Sequence, residues 1–595
     1  MSNLSLPLLL RAPVPTQSSL SFCDATPKDL KRWISTLPKA NLGEMARQLY
    51  QGLGELNQLL TPSDNRLQLL ELLRPEVYYV CTHLERHFLN QSVVLEERPR
   101  KVANLCQALQ NHLAIGYKQI IARLAPKLTK DRTTLLATAM QRALHALNGP
   151  LIRANQLYCP VQDGLWLELH QIYQIARHCR LHTIAVADNL ATHTRTLTVE
   201  QTYIMALLMG SSRCNQMRQH NIGRLAEVLD AWSSLVKLQA PADESSLFAL
   251  SPTADAGPRY RSLYTPEQLP NLLGFSPQAL SAAIQRYLEM PADQRSQSYL
   301  AVPPGFSVDL LQHLAAAWGD VSERAFQRTP GQGTLTLCVG MSALHYFLSG
   351  QRSFNDVLQV PMVSKAANFT LQPLRAGHSD TWGQTRDVEH AGTADTMLPF
   401  EEIQYQKTDD SAGSAFDNQQ SFPTYSLNIV NHSPGGYCLA WPKEVPDQLQ
   451  AGEMVGIQDH GQGWSIAAVR WVRQVRGGGM QMGIELIAPF AQACGLQLLR
   501  TEQNSQYLRA LLLPEVRAID VPPTVMAPRL PFEEGSKVLI NTSGQERRAG
   551  LNKRRSTTGS YNQFEYQMQE APKKIDASGD DSGPEQEFDS LWGVL

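Results

Sequence analysis

The sequence predicts an α+β multidomain protein with an N-terminal all-α helical region, then a small antiparallel β-barrel with a long insertion, then a C-terminal β-rich extension. From about residue 26 to 240, apolar residues recur every three or four positions, as in helices that bury one face. After Pro330, short runs of alternating character are separated by Gly- and Pro-containing turns. The 595 residues, 43% apolar and 18% charged, suffice for two to four folded units.

The N-terminal region shows the helical period most clearly in the segment Val102–Leu124. Leu109, Leu113 and Tyr117 fall on one face of a helix drawn through this segment. The tripeptide Asn148-Gly149-Pro150 is typical of a break between two helices. We therefore expect a helical bundle or a stacked array of helix pairs.

The middle of the chain is predicted to connect the two main parts. Residues 240–258 are rich in Pro, Ala, Ser and Asp, which is typical of a linker or surface loop. Short helices follow, and the last of them is predicted over Val308–Phe326, with a basic cluster at its end.

The second half contains six strand-like runs before residue 490, which predict a small barrel. They are Thr334–Val339, Tyr425–Val430, Tyr437–Trp441, Met454–Gln458, Trp464–Val472 and Met480–Leu486. Residues 376–420 are dominated by small and polar residues, so an insertion of about residues 350–420 is expected to be flexible. Residues 498–514 are predicted to be helical, and Ser536–Met568 is strand-like.

The C-terminal segment combines acidic and apolar residues. Residues 575–589 hold six acidic residues and no basic one, which predicts disorder. Phe588, Leu591, Trp592 and Leu595 would share one face of a short helix. This face is a candidate partner-binding element, because aromatic anchors suit an apolar groove. The sequence does not decide whether the peptide folds back on its own domain or docks into a separate protein.

The pattern divides the chain into five predicted parts. They are a helical domain (1–240), a linker with short helices (241–320), a barrel with its insertion (321–515), a small β-rich unit (521–570) and an acidic tail with a terminal apolar peptide (571–595).

Charge and composition exclude several classes of protein. Lys and Arg number 53 against 55 Asp and Glu, a formal net charge of −2, whereas a nucleic-acid polymer calls for a basic excess. Apolar runs are too short for a membrane helix, and no secretory signal is recognisable. Nine scattered cysteines without a C-x-x-C pair predict reduced thiols in a cytoplasmic protein. No catalytic motif, cofactor or metal site is predicted, so a receptor is favoured over an enzyme.

Two short clusters are the candidate binding residues. Arg324 and Arg328 lie four positions apart, just before the first predicted barrel strand. Asn431, Ser433 and Gly436 form a tight turn between two later strands. Either cluster alone is common by chance, since two arginines at this spacing usually mark a solvated helix face.

Together the two clusters resemble the PilZ domain, a bacterial receptor module for cyclic di-GMP. That family has an R-x-x-x-R motif before its first strand and a [D/N]-x-S-x-x-G turn later, and the strand around Val469-Arg470-Trp471 is also similar. The resemblance covers roughly residues 320–495. It implies cyclic di-GMP as the ligand, an unidentified protein partner, and a role in motility, pilus function or surface attachment.

The chemistry of these residues suits such a ligand. A planar guanidinium can donate two parallel hydrogen bonds to guanine O6 and N7, or to a phosphate. Arg470 and Arg473 are possible additional ligand contacts, with solvated surface charge as the alternative. Asn replaces the commoner Asp of the motif, which keeps the hydrogen-bonding role and loses the charge. The alternative function is a scaffold whose barrel does not bind nucleotide.

The hypothesis requires two distant segments to meet. Arg328 and Asn431 are 103 residues apart, where the family normally has only a strand or two. The predicted insertion explains the distance, because the entropy of loop closure rises only logarithmically with loop length. Binding would then order the Arg324–Arg328 segment and fix the preceding helix against the barrel.

Overall fold

The computed structural model describes residues 10, 12–240, 246–319, 328–359, 422–442, 445–459, 462–476, 478–500, 505–515 and 522–569. In these ranges a helical region is followed by two β-barrels. This confirms the predicted α+β multidomain fold.

The described residues contain twelve α-helices, eight of which precede residue 240. They are α1 (Pro27–Thr36), α2 (Leu42–Gln58), α3 (Ser63–Leu84), α4 (Glu97–Leu124), α5 (Thr133–Gln156), α6 (Leu165–His178), α7 (Val199–Ser211), α8 (Gln219–Trp232), α9 (Gln278–Glu289), α10 (Val308–Gly319), α11 (Met341–Leu348) and α12 (Phe354–Leu358). The predicted face of α4 is buried, including Leu109, Leu113 and Tyr117. One apolar core extends from these helices into the interior of the first barrel.

The predicted helix break at residues 148–150 is wrong, because these residues lie inside α5. Gly149 permits a close approach of α4, since a Cβ there would lie 2.3 Å from Oε1 of Gln110. The side-chain amide of Asn148 donates to the Thr202 carbonyl at 3.2 Å. Packing against neighbouring helices therefore outweighs the local preference of Gly and Pro to end a helix.

The segment predicted as a linker contains a small antiparallel sheet of four strands in the order β3-β6-β4-β5. The residues of β4 are all buried, so this part of the predicted surface loop is instead part of the core. The last predicted helix is found as α10 over Val308–Gly319, and its predicted continuation to Phe326 lies outside the described ranges.

The described residues contain nineteen β-strands. They are β1 (Ala185–Ala187), β2 (Thr196–Thr198), β3 (Lys237–Gln239), β4 (Phe248–Leu250), β5 (Arg259–Tyr260), β6 (Leu273–Ser276), β7 (Thr329–Pro330), β8 (Thr334–Val339), β9 (Tyr425–Ser433), β10 (Gly436–Trp441), β11 (Met454–Gln458), β12 (Ser465–Gln474), β13 (Met480–Ala488), β14 (Gln492–Leu498), β15 (Leu508–Leu513), β16 (Thr524–Pro528), β17 (Lys537–Thr542), β18 (Gln545–Thr557) and β19 (Tyr561–Met568).

The first barrel consists of the six predicted strands, in the order β10-β13-β12-β11-β8-β9. All neighbours are antiparallel, and the pairing of β9 with β10 closes the barrel. The short strand β7 adds to the outer edge of β9. The alternation within each strand directs Leu439, Met482 and Ile484 into the core.

The second barrel is closed and has the order β14-β15-β16-β19-β18-β17. The helix predicted over residues 498–514 is wrong, because this segment includes β15. The sequence analysis assigned residues up to 515 to the first barrel, whereas β14 and β15 pair only within the second. Closing this barrel requires six strands, and β16 to β19 alone would leave open edges.

The start of the predicted insertion packs against the second barrel. The side chain of Leu358, in α12, lies directly over Gly495 of β14. Its carbonyl accepts a hydrogen bond of 3.1 Å from Nδ2 of Asn541. The rest of the predicted flexible insertion, from residue 360 to about 420, lies outside the described residues.

Candidate functional site

The strand register brings the two predicted clusters together. Thr329 and Pro330 of β7 pair with His432 and Asn431 of β9, so Arg328, which precedes Thr329, lies beside the same strand. Nη1 of Arg328 donates to Oδ1 of Asn431 at 2.9 Å. The predicted convergence across 103 residues is therefore found in the structure for this pair.

The turn between β9 and β10 holds the other two predicted residues. Ser433 and Gly436 are ladder partners, and the Ser433 hydroxyl lies 3.5 Å from the Gly436 carbonyl oxygen. A Cβ at Gly436 would lie 2.0 Å from the carbonyl oxygen of Ile484 on β13. Glycine is needed here because only a residue without a side chain lets the turn lie so close to the neighbouring strand.

Beside this turn, the outer face of the first barrel has a floor of small residues. Asn431 pairs with Cys438, Cys438 with Gly483, and Gly483 with Trp471. Direct ladder partners lie on the same face of a sheet, so these four side chains share one row. The two central residues, Cys438 and Gly483, are buried, and the indole ring of Trp471 lies over Gly483.

The Trp471 end of this row carries a cation. Trp471 covers Gly483, and the guanidinium carbon of Arg473 lies 5.3 Å from the centre of the indole ring. Nη2 of Arg473 also donates to Oε1 of Gln481 at 2.7 Å. A cation–π contact and a hydrogen bond together hold Arg473 in place, which lowers the entropy lost when it binds a ligand.

Both cations, Arg328 and Arg473, act on Cys438 at the centre of the row. Burial raises the pKa of the Cys438 thiol, whereas Arg328 and Arg473 favour its charged form. A cation stabilises a nearby anion, so an anionic ligand on this floor would be attracted from both sides.

Arg470 lies next to the turn, beside Glu485, which is the ladder partner of Gly436. A register shift between Val469 and Trp471 leaves it outside the ladder, and its guanidinium contacts the carboxylate of Glu485. Arg470 also lines a cavity of about 460 Å³ where the helical region and both barrels meet. Its charge is therefore directed to the junction between the folded units.

Several predicted site residues lie outside the described ranges. These are Arg324 and the terminal residues Phe588, Leu591, Trp592 and Leu595. They remain predictions.

Cys438, Gly483 and Gln481 shape the face and were not predicted as site residues. Arg473, which was predicted as an additional contact, lies on the same face as Trp471, since residues two apart on a strand share a face. The role of the small residues depends on which strands are neighbours in the barrel. The local sequence around each residue does not reveal this pairing.

Neither a metal centre nor a membrane helix is found in the part of the chain that the structure describes. In those ranges no three His, Cys, Asp or Glu residues form a group suited to a metal ion. No described helix is long and apolar enough to cross a bilayer. All nine cysteines are free thiols.

Comparisons with known proteins match all three folded units. Residues 28–243 match the family described as "Cyclic-di-GMP receptor FimW, N-terminal domain". Residues 247–493 match its "middle PilZ domain", and residues 494–569 match "FimW C-terminal beta-barrel domain". The chain belongs to the FimW family.

A curated relative extends the FimW match over the whole chain. The protein named "Cyclic-di-GMP receptor FimW" from Pseudomonas aeruginosa is 58% identical over 612 aligned residues, which cover 100% of both chains. No solved structure matches the chain. The FimW domain division places the start of the second barrel at residue 494, inside β14.

Proposed function

We propose that this protein is a cytoplasmic receptor for cyclic di-GMP that relays the level of this second messenger to a protein partner. The contact of Arg328 with Asn431, beside a floor of small residues, is the observation that carries the proposal. The printed name of the P. aeruginosa relative and the PilZ family match support the same ligand.

In this proposal the ligand lies on the outer face of the first barrel. Arg324 and Arg328 meet a guanine edge or a phosphate with paired hydrogen bonds. Asn431 and Ser433 contribute small polar groups, and Gly436 allows close approach of the backbone. Arg473, held over Trp471, approaches the ligand from the opposite side. Arg470 contacts Glu485, the ladder partner of Gly436, and remains a possible additional ligand contact that also lines the junction cavity.

The relay to the helical region starts at the end of β12. Gln474 follows Arg473 directly, and its backbone N–H donates to the Tyr158 carbonyl at 2.8 Å. Its side-chain amide donates to the carbonyls of Val93 and Leu157 at 2.6 and 3.0 Å. A shift of β12 on ligand binding would therefore reach the helices through Gln474.

The predicted docking of the last helix against the barrel needs revision. Trp318 of α10 donates to the Ser211 hydroxyl at 3.1 Å, and His313 contacts the Ser212 carbonyl at 2.8 Å. Helix α10 thus packs on the helical region. Ligand contacts with Arg324 and Arg328 would order the segment between α10 and β7, and so change the link between the helices and the barrel.

Calorimetry with cyclic di-GMP and the whole chain tests the binding site. Arg324→Ala and Arg328→Ala should each weaken binding by about 10- to 100-fold, since a bidentate contact contributes about 1–3 kcal/mol. Arg47→Ala, which removes an exposed arginine from the helical region, is the matched control and should bind as the unmodified chain does. Unchanged affinity in both site variants would refute the proposed site.

The proposed role in the cell is inferred from the resemblance to the PilZ family. A receptor of this kind would act in motility, type IV pilus function or surface attachment and biofilm formation. We propose a receptor and not an enzyme, because the site offers binding groups without a nucleophile–base pair.

A scaffold that does not bind nucleotide is the second candidate. The apolar face formed by Phe588, Leu591, Trp592 and Leu595 favours it, since such a face suits a groove on a partner. Co-purification of partners with and without residues 588–595, each with and without cyclic di-GMP, separates the two. A partner whose co-purification requires residues 588–595 and does not change with cyclic di-GMP supports the scaffold. A partner whose co-purification changes with cyclic di-GMP supports the receptor.

A further inference from the structure

The second barrel carries a run of exposed basic side chains that the proposed function does not use. Arg547, Arg548, Lys553, Arg554 and Arg555 all lie on β18 and are all exposed. We call these five residues the basic strand surface. They lie within nine consecutive positions of one strand.

Irregular pairing makes this surface unusually dense. Between Leu551 and Arg554, and again between Arg554 and Ser556, β18 has one residue more than its partner β19. Such bulges break the alternation of a strand and change the direction of its side chains. As a result, the residues from Asn552 to Arg555 are all exposed, where a regular strand of a barrel would bury every second one.

Most of this positive charge has no acidic partner. Among the residues that the structure describes, Arg555 pairs with Glu565, and the other four make no ion pair. Two acidic residues lie nearby, and each accepts a hydrogen bond from another group. Glu534 accepts from the backbone N–H of Arg554 at 2.7 Å, and Glu546 accepts from the Tyr507 hydroxyl at 2.6 Å.

The chain leaves the barrel next to this surface. The backbone N–H of Gln569 donates to the carbonyl of Arg548 at 2.8 Å. Residues 575–589, with six acids and no basic residue, begin six positions later. Six extended residues span about 20 Å, which is enough to reach either end of the basic strand surface.

We propose that the acidic segment 575–589 docks on the basic strand surface of its own chain. Each exposed ion pair is weak, but a covalent link gives the segment an effective concentration that a free partner would not reach. The net charge of −2 disfavours a nucleic-acid polymer as the occupant. Docking would hold the terminal apolar peptide beside the second barrel, and this interaction does not require cyclic di-GMP.

A labelled peptide of residues 570–595 tests the proposal by fluorescence anisotropy. It should bind a chain that ends at residue 569, which keeps every described residue, and salt should weaken the binding. The full-length chain should bind the peptide at least about 10-fold more weakly, because its own segment already occupies the surface. Equal binding to the two chains would overturn the proposal.

Two independent pairs of substitutions locate the surface in the shortened chain. Arg547→Glu with Arg548→Glu, and Lys553→Glu with Arg554→Glu, should each weaken peptide binding at least about 10-fold, because exposed cations become anions. Lys28→Glu with Lys31→Glu makes the same change of charge on exposed residues of α1 and should have no effect. Unchanged peptide binding in both double variants of β18 would contradict the proposal.

Two further probes identify the occupant. A peptide whose six acids are replaced by Asn or Gln should not bind, and retained binding would assign the contact to the apolar residues instead. Single-stranded DNA or anionic vesicles that bind the full-length chain as tightly as the shortened chain would show that the segment does not cover the surface, which also contradicts the proposal.

Discussion

At the scale of a single residue, Gly436 belongs both to the barrel and to the candidate site. It ends the turn that carries Asn431 and Ser433, and it lies against the backbone of β13. The space for a side chain is taken by the Ile484 carbonyl, and φ is +155°. The same residue therefore closes the barrel and brings the turn to the ligand face.

Gly436→Ala should destabilise the first barrel by about 2 kcal/mol, because the added methyl group overlaps a backbone atom that moves only with its strand. It should also weaken binding of cyclic di-GMP by displacing the turn. Thermal unfolding and calorimetry measure the two effects. Gly463→Ala is the control in the same barrel, since a Cβ there has open space; similar losses in both variants would contradict the steric argument.

Helix α11 joins the two barrels at the scale of a secondary-structure element. It packs on the outside of the first barrel, and Nε2 of its buried residue His345 lies 3.1 Å from the Cys494 carbonyl of β14. Burial lowers the pKa of His345 to about 4, and the nearby cation Arg509 acts in the same direction. The neutral imidazole is therefore part of the contact between the barrels.

Acid should weaken this contact. The folded-state pKa lies below the ordinary value of 6.5, so the unfolded chain binds more protons, and stability falls as the pH drops from about 6.5 towards 4. Between pH 7 and 5 the loss due to His345 is about 2 kcal/mol. His345→Gln keeps an N–H donor and cannot titrate. Chemical denaturation at both pH values should show a smaller acid effect in this variant, and an equal effect would exclude His345 as the cause.

At the scale of the whole molecule, one polar cluster joins all three folded units. Arg218 comes from the helical region, Glu453 from the first barrel and Ser560 from the second. Nη2 of Arg218 donates to Oγ of Ser560 at 2.6 Å and lies 3.4 Å from Oε2 of Glu453. Burial raises the pKa of Glu453, which its contacts with Ser560 and Arg218 oppose. The charged form of Glu453 is therefore stabilised by Arg218 and Ser560, which belong to the other two folded units.

Arg218→Ala should lower the free energy of unfolding by about 2 kcal/mol, because it leaves a largely buried carboxylate without its cation. Adding Glu453→Gln should recover part of the loss, since a neutral amide needs no counter-charge. Denaturant unfolding of the four chains in this double-mutant cycle measures the coupling. Arg224→Ala, which removes an exposed ion pair from the same helix, should change stability by less than about 0.5 kcal/mol. Additive losses at positions 218 and 453 would exclude a shared cluster.

The sequence by itself determined the helical region, the six strands of the first barrel and the two clusters around Arg328 and Asn431. These features follow from local chemistry, because hydrophobic period and turn residues act over a few positions. Because side chains alternate between the two faces of a strand, recognising β12 in the sequence also places Trp471 and Arg473 on the same face.

Only the tertiary structure decided what those elements contact. Pro150 remains inside a helix because α5 is packed on several sides, and β14 joins the second barrel because that barrel closes only with six strands. The side chain of Arg470 contacts Glu485 through a register shift that its own sequence does not reveal. Burial and strand pairing between distant residues determine these outcomes, and a local sequence pattern carries no information about distant partners.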